Sequence, residues 1–272
     1  MYKRQYEYLV PNYFSQKEWD AIGEQAKHDA NEALESARNR PVSDPALIEK
    51  FAFSEIDEAG EVIAQTMGGI VTSDHKFPAS SDVPNSVGRR INMVTAIRQT
   101  LDYELETNPK VVVFGEDVGP KGGVHAVTMG LQDKYGADRV FDTSLSEEGI
   151  IGRANGMAMA GLVPVPEIQF RKYADPAVEQ LNDCGTMRWR TNNRFAAPIT
   201  VRIPGGFFKC GDPWHSQTNE VQFAHAVGWK VAVPSNAEDA VGLLRTSLRG
   251  NDPVFFFAVS YTHLTLPTIL LV

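Results

Sequence analysis

Between residues 91 and 257 two periodicities alternate along the chain. Segments with apolar residues at every third or fourth position are interleaved with short runs rich in valine, isoleucine and phenylalanine. The runs are apolar throughout rather than at every second position, so each strand must be covered on both faces, which requires helices on both sides of a parallel sheet. Read in order, the segments are a helix "MVTAIRQTLDYELET", a strand "KVVVFG", a helix "HAVTMGLQDKYG", a strand "RVFDT", a helix opening at "SEEGIIGRANGMAMAG" and a strand "VPVPEIQF". A helix "DPAVEQLNDCGTMRWR", a strand "PITVRIP", a long glycine-rich loop, a strand "WKVAVP", a helix "AEDAVGLLRTSLRG" and a strand "PVFFF" follow. The expected fold is α/β, a doubly wound, mostly parallel sheet of about six strands flanked by helices. In open sheets of this kind ligands sit beyond the carboxyl ends of the strands, so the loops after Gly115, Asp142, Phe170 and Pro204 are the places to look for a site.

The first third of the chain reads differently. Residues 15–40 form a helix opened by the capping box "SQKE", with Trp19, Ile22, Ala26, Ala30, Ala33 and Ala37 on one stripe. Pro41, Pro45, Gly68, Gly69, Pro78 and Pro84 then interrupt any regular pattern. The expected organisation is a helical tail over residues 6–58, a linker over 59–90 and the α/β domain over 91–259. "MYKRQ" at the start and "SYTHLTLPTILLV" at the end resemble translated sequencing-adaptor sequence, so residues 1–5 and 260–272 are set aside.

Charge and cysteine usage narrow the function classes. The net charge is −8, with no long basic run, which gives no footprint for nucleic acid. Cys184 and Cys210 stand far apart without a second pair, so neither a disulfide framework nor a zinc site is indicated. The N-terminus lacks an apolar signal core, and no apolar run approaches the roughly 20 residues of a membrane span. A cytoplasmic protein that acts on small molecules or protein partners is expected.

Several residues stand where chemistry would be done. Glu147 and Glu148 open a helix after Ser146, and their carboxylates suit its positive end whether or not they do anything else. Gly149, Gly152, Gly156 and Ala160 make a small-residue face, open either to tight packing on the sheet or to close approach by another backbone. "FGEDVGPKGG" matches neither GxGxxG nor GxxxxGK[ST] and reads as a plain strand-to-helix loop. Gln169, Phe170 and Tyr173 cluster past a strand end, as core or rim aromatics or as a binding platform. His215 lies in a polar loop, where an imidazole can exchange protons, although a lone loop histidine is commonly just solvated. His125 and His225 read as ordinary helix residues, and no GxSxG elbow supports a hydrolase triad.

Taken together, "INMVTAIRQTLDYELETNPKVVVFGEDVG", "KYGADRVFDTSLSEEGIIGRANGMAMAGLVPVPEIQF" and "HSQ" resemble the β-subunit type of the thiamin-diphosphate-dependent decarboxylating component of 2-oxo acid dehydrogenase complexes. The resemblance covers residues 91–257 and corresponds to that family's transketolase-like pyrimidine-binding domain. The segment "YLVPNYFSQKEWDAIGEQAKHDANEALESARNRPVSDP" is similar to the end of the same enzyme's α subunit, which implies a fused-subunit protein. The chain is then expected to be a fragment inactive alone, lacking the α-type diphosphate-binding region with its GDG motif and the C-terminal domain of β subunits.

The resemblance also assigns roles. Glu147 matches the glutamate of "S-E-x-G", which contacts the N1′ nitrogen of the cofactor's aminopyrimidine; a carboxyl in a partly apolar pocket can share a proton there. Glu148 is left a surface role. Leu145 and Gln169 match positions lining the pyrimidine pocket, Phe170 and Tyr173 the aromatic wall beside it, and His215 a histidine near substrate and lipoyl group. Thr200 matches a region that holds a monovalent cation in some relatives. The implied reaction is oxidative decarboxylation of a 2-oxo acid, branched-chain such as 2-oxoisovalerate or else pyruvate, with acyl transfer to a lipoyl group. The implied partners are an α-type domain that brings magnesium and the diphosphate half of the site, a lipoyl-bearing acyltransferase, and further copies of the full-length protein. Another transketolase-like thiamin enzyme, acetoin-cleaving or of the 1-deoxyxylulose synthase type, and a non-catalytic α/β interaction module are the alternatives.

Overall fold

The structure is a computed structural model that describes residues 2–68, 91–205, 215 and 217–258. The C-terminal residues 260–272, most of the expected linker, Cys210 and most of the glycine-rich loop before His215 lie outside the described residues. Two compact units divide the chain between Glu49 and Lys50. The first holds helix α1 (Tyr2–Asn12), helix α2 (Gln16–Arg38) and a 3₁₀ turn at Pro45–Glu49. At the start of α2 the capping box is complete: Ser15 Oγ accepts from Glu18 N at 3.3 Å and Glu18 Oε2 accepts from Ser15 N at 2.8 Å. No residue of α2 is buried, so its alanine stripe faces solvent within the unit. Helix α1 takes in residues 2–5 of "MYKRQ" and contains Pro11.

The second unit carries a six-stranded sheet whose pairings are all parallel. Its elements are α3 (Met93–Thr107), β1 (Val111–Gly115), α4 (Leu131–Tyr135), β2 (Val140–Asp142), α5 (Glu147–Met159), β3 (Val163–Glu167), a 3₁₀ segment (Arg171–Ala177) and α6 (Val178–Arg190). Then come β4 (Thr200–Arg202), the short α7 (Glu220–Phe223), β5 (Lys230–Ala232), α8 (Ala237–Arg249) and β6 (Val254–Phe256). The strand order is β2-β1-β3-β4-β6-β5.

Successive strand residues point to opposite faces, and both faces are covered. Val111, Val113, Val254 and Phe256 join a core under α3 and α8, whereas Val112, Phe114, Phe255 and Phe257 join a second core under α5 and α6. This two-sided burial is why β1 and β6 are apolar throughout, whereas the edge strands β2 and β5 carry the exposed Asp142 and Lys230. The pairing also creates a switch point. The chain leaves β1 toward β2 on one side and leaves β3 toward β4 on the other, so a crevice opens between the carboxyl ends of β1 and β3.

Three expectations change. The helix expected over residues 125–136 is only α4, because Gly122, Gly123, Ala126 and Gly130 take φ values of 81°, 82°, 58° and 78°. Residues 122–130 instead form turns, with Thr128 N donating to Gly122 O at 3.0 Å. The helix expected from Asp175 begins as a 3₁₀ segment containing Pro176 and becomes α-helical at Val178. Residues 50–68, split by the sequence reading between tail and linker, are bound to the α/β unit. Ser54 N donates to the buried Asp252 Oδ1 at 2.7 Å, Asn193 Nδ2 to Ile63 O at 3.2 Å, and Met67 pairs with Phe195 in a parallel bridge.

Candidate functional site

The crevice between β1 and β3 begins with a close backbone approach. Gly115 has φ 158°, and a Cβ there would lie 2.6 Å from Glu167 O, so no side chain fits between the strand ends. Glu116 and Asp117 follow immediately, the latter with φ 58°. Across the crevice Gln169 Nε2 donates to Glu116 O at 3.1 Å and to Asp117 Oδ2 at 3.2 Å, tying the exit of β3 to the exit of β1.

Helix α5 supplies the third wall. Ser146 Oγ caps it by accepting from Gly149 N at 3.3 Å, and Glu147 and Glu148 occupy its first turn. The two carboxylates are not equivalent: Glu147 is half-buried and Glu148 exposed. Burial, then the charge of Glu147, then that of Asp117 push the Glu116 carboxyl above its usual range. Lys121, bonded at 2.7 Å, holds Asp117 below the usual range. The crevice therefore gathers three acidic groups and raises the proton affinity of the one nearest β1.

An aromatic cluster borders this acidic wall. The Phe170 ring stacks on His215 at 4.6 Å between centroids and an interplanar angle of 17°. Tyr173 Oη and His215 Nε2 are hydrogen-bonded at 2.7 Å, and Tyr173 meets Phe170 edge-on at 6.1 Å. His125 approaches the other edge of Phe170 at 5.9 Å and 84°. Burial and then the positive charge of Arg202 lower His125 to about 4, so it stays neutral at neutral pH. Beneath it Glu167 and Arg202, at the ends of β3 and β4, form a buried ion pair at 2.5 Å.

Of the residues singled out in the sequence, Gln169, Phe170, Tyr173 and His215 meet around this crevice, and Glu147 acts on it through its charge. Leu145 is 83% exposed in the turn before α5, and Thr200 is buried within β4, paired with Val254. Sequence reasoning missed Glu116, Asp117, His125, Glu167 and Arg202. Glu116 and Asp117 sat in a loop already placed at a strand's carboxyl end but read as plain, and His125 was assigned to a helix that its glycine neighbours break. The glycine density of residues 119–130 was the available signal. The small face of α5 is open at Gly156, where a Cβ would meet nothing within 4 Å, while Gly152 lies against Gln180. Among the described residues no cluster of three or more His, Cys, Asp or Glu could hold a metal ion, and no described helix is long and apolar enough to cross a membrane.

Known proteins share this arrangement of sequence. The chain is 47% identical over 167 residues to the 2-oxoisovalerate dehydrogenase subunit beta of Pseudomonas aeruginosa, covering 61% of this chain and 48% of that protein. It is 45% identical to the mitochondrial 2-oxoisovalerate dehydrogenase subunit beta of Dictyostelium discoideum, over 62% of this chain and 46% of that one. The pyruvate dehydrogenase E1 component subunit beta of Leifsonia xyli is 41% identical over 67% of this chain and 54% of its own length. The chain thus spans about half the length of the curated relatives it matches. The family model of the transketolase pyrimidine-binding domain matches residues 89–259. With its parallel sheet, its switch-point crevice and a match over most of its length, the chain belongs to the transketolase pyrimidine-binding domain family.

Proposed function

We propose that this chain supplies the pyrimidine half of a thiamin diphosphate site in the decarboxylating component of a 2-oxo acid dehydrogenase, acting on a branched-chain 2-oxo acid such as 2-oxoisovalerate. The observation that carries the reading is the half-buried Glu147 at the opening of α5, whose negative charge acts on the Glu116 carboxyl at the switch-point crevice. The residues present fit an aminopyrimidine. A half-buried carboxylate stands at the opening of α5, a second carboxyl has raised proton affinity, and the stacked rings of Phe170 and His215 form a flat wall. Leu145, with most of its surface exposed, offers apolar area for the ring or a second domain to cover.

In this reading Glu147 holds a proton at the pyrimidine N1′ nitrogen, beside a Glu116 carboxyl that burial and the charge of Glu147 push above its usual range. Gln169 orients the Glu116–Asp117 turn, and Phe170 with Tyr173 excludes water from one side of the ring. His215, held by Tyr173, presents an imidazole for proton donation near the substrate carbonyl. Thiamin diphosphate, when bound, supplies the electron sink for decarboxylation. An α-type domain contributes the magnesium-diphosphate half, and a lipoyl-bearing acyltransferase takes the acyl group. Thr200 adjoins a candidate monovalent-cation position, and residues 6–58 correspond to an α-subunit-like tail.

The test is release of carbon dioxide from 2-oxoisovalerate, pyruvate and acetoin by the protein assembled with an α-type domain, thiamin diphosphate and magnesium. Turnover of 2-oxoisovalerate that falls roughly 100- to 10,000-fold in Glu147→Gln is the expected result. Preference for acetoin, or full activity in the variant, overturns the proposal. Faster turnover of pyruvate than of 2-oxoisovalerate overturns its substrate assignment.

A further inference from the structure

Arg171 is fully enclosed, with none of its surface exposed, although it directly follows Phe170 in the candidate site. Its guanidinium pairs with Glu220 through Nη1 and lies over the ring of Phe257, 4.5 Å from the centroid. Two further donors, Nε and Nη2, are buried without a hydrogen-bond partner among the described residues. Nε is also walled off, since a Cβ on Gly205 would lie 2.4 Å from it and 2.9 Å from Gln217 O. No ligand reaches a group packed in this way, so the guanidinium is not a receptor for substrate.

Nor is it an efficient core filler. A buried ion pair is commonly no more stabilising than apolar side chains of the same volume, and here two donors are left unmatched as well. What the pair does achieve is a connection between two segments. Arg171 opens the 3₁₀ segment that carries Tyr173, and Glu220 opens α7, five residues after His215. Gly205 packs on the same guanidinium and Gln217 O packs on Gly205, and the two residues lie before and after His215 in the chain. The hydrogen bond between Tyr173 and His215 and the stacking of Phe170 on His215 both span the joint that Arg171 closes.

We infer that Arg171 is a positioning residue: through Glu220 and the backbone at Gly205, it fixes the His215 imidazole against Tyr173 and Phe170. The inference rests on the proposed function for the role of His215 in turnover, but its geometric content does not. Arg171→Met keeps the volume and removes the pair, Arg171→Lys keeps one charged bond to Glu220, and Glu220→Ala removes the partner from a partly exposed position.

The full chain, labelled with ¹⁵N at histidine, provides the readout, with Tyr173→Phe as the reference for a released imidazole. In Arg171→Met and Glu220→Ala the His215 ring signals should move toward those of Tyr173→Phe, while circular dichroism stays that of the folded protein and Arg171→Lys returns them most of the way. In the assembled enzyme kcat should fall about 10- to 100-fold with KM little changed. Where Arg171→Met does not fold, Glu220→Ala decides. Folded variants whose His215 signals and kcat match wild type overturn the inference. Signals that move as expected in a protein with no decarboxylase activity support the positioning role and count against the proposed reaction instead.

Discussion

Gln169, two residues beyond β3, donates one side-chain amide to both the carbonyl of Glu116 and the carboxylate of Asp117, at 3.1 and 3.2 Å, just beyond β1. The two strands are already in parallel register, with Gly115 opposite Glu167. The amide continues that pairing one step past the sheet, where the strands diverge and backbone bonding ends. It thereby holds the mouth of the crevice at a set width.

Replacing Gln169 by Leu keeps the volume and removes both bonds. A loss of about 1–2 kcal/mol in urea unfolding is expected, since each bond contributes about 1 kcal/mol net. Cofactor affinity of the assembled protein should fall with it. A variant as stable as wild type would show that the crevice does not depend on this tie.

The Glu116 carboxyl should respond to the charge of Glu147. In Glu147→Gln the Glu116 carboxyl, followed by carbon-13 NMR, should move down toward the ordinary glutamate range, because one of the charges that raise it is gone. The sign for stability follows from the raised value. The folded chain holds the Glu116 proton more tightly than the unfolded chain, so the associated stability is present at low pH and is lost as pH rises through the raised value. Glu116→Gln should therefore be slightly more stable than wild type at neutral pH, by at most about 1 kcal/mol after solvent screening. An unmoved Glu116 titration in Glu147→Gln would separate the two groups.

His125 should confer acid sensitivity. Its folded value of about 4 lies below the ordinary 6.5, so between these values the unfolded chain binds a proton that the folded chain refuses. Stability is lost as pH falls through that window. His125→Gln should lose less stability than wild type between pH 7 and pH 5, as measured by urea unfolding at both. Equal losses in the two proteins would contradict the enclosed position of the imidazole.

The pair of Glu167 and Arg202, each about 2% exposed, should behave as a unit. Glu167→Gln or Arg202→Met leaves a buried charge without its partner and should cost about 3–5 kcal/mol. The double variant should cost well under the sum, which a double-mutant cycle in urea would measure. Additive costs would mean that the two side chains do not share one desolvated site.

Much of the fold was legible because local and long-range preferences agree in it. The helix over Met93–Thr107 matches its expected limits, with Asn92 as its cap and Met93, Ile97, Leu101 and Leu105 buried along one side. The six strands fall where the apolar runs predict them, since a strand buried on both faces leaves an unbroken hydrophobic signature. The reading failed where glycine decides the backbone. A helix was expected over residues 125–136, yet Gly130, like Gly122 and Gly123 before it, takes a left-handed angle, and this moved His125 from a helix surface to the edge of Phe170.

The sequence by itself determined the order of elements, the two-faced core, the carboxylates opening α5 and the aromatic residues past β3, because these depend on periodicity and residue type along a contiguous stretch. The order of strands in space, and with it the switch point between β1 and β3, was decided only by tertiary structure. So were the facing of Glu116 toward Glu147, the burial of Arg171 and Arg202, and the stacking of His215 on Phe170. Each joins residues some 30 or more positions apart in the chain, and such contacts form only when the whole sheet offsets the entropy of closing the loops between them.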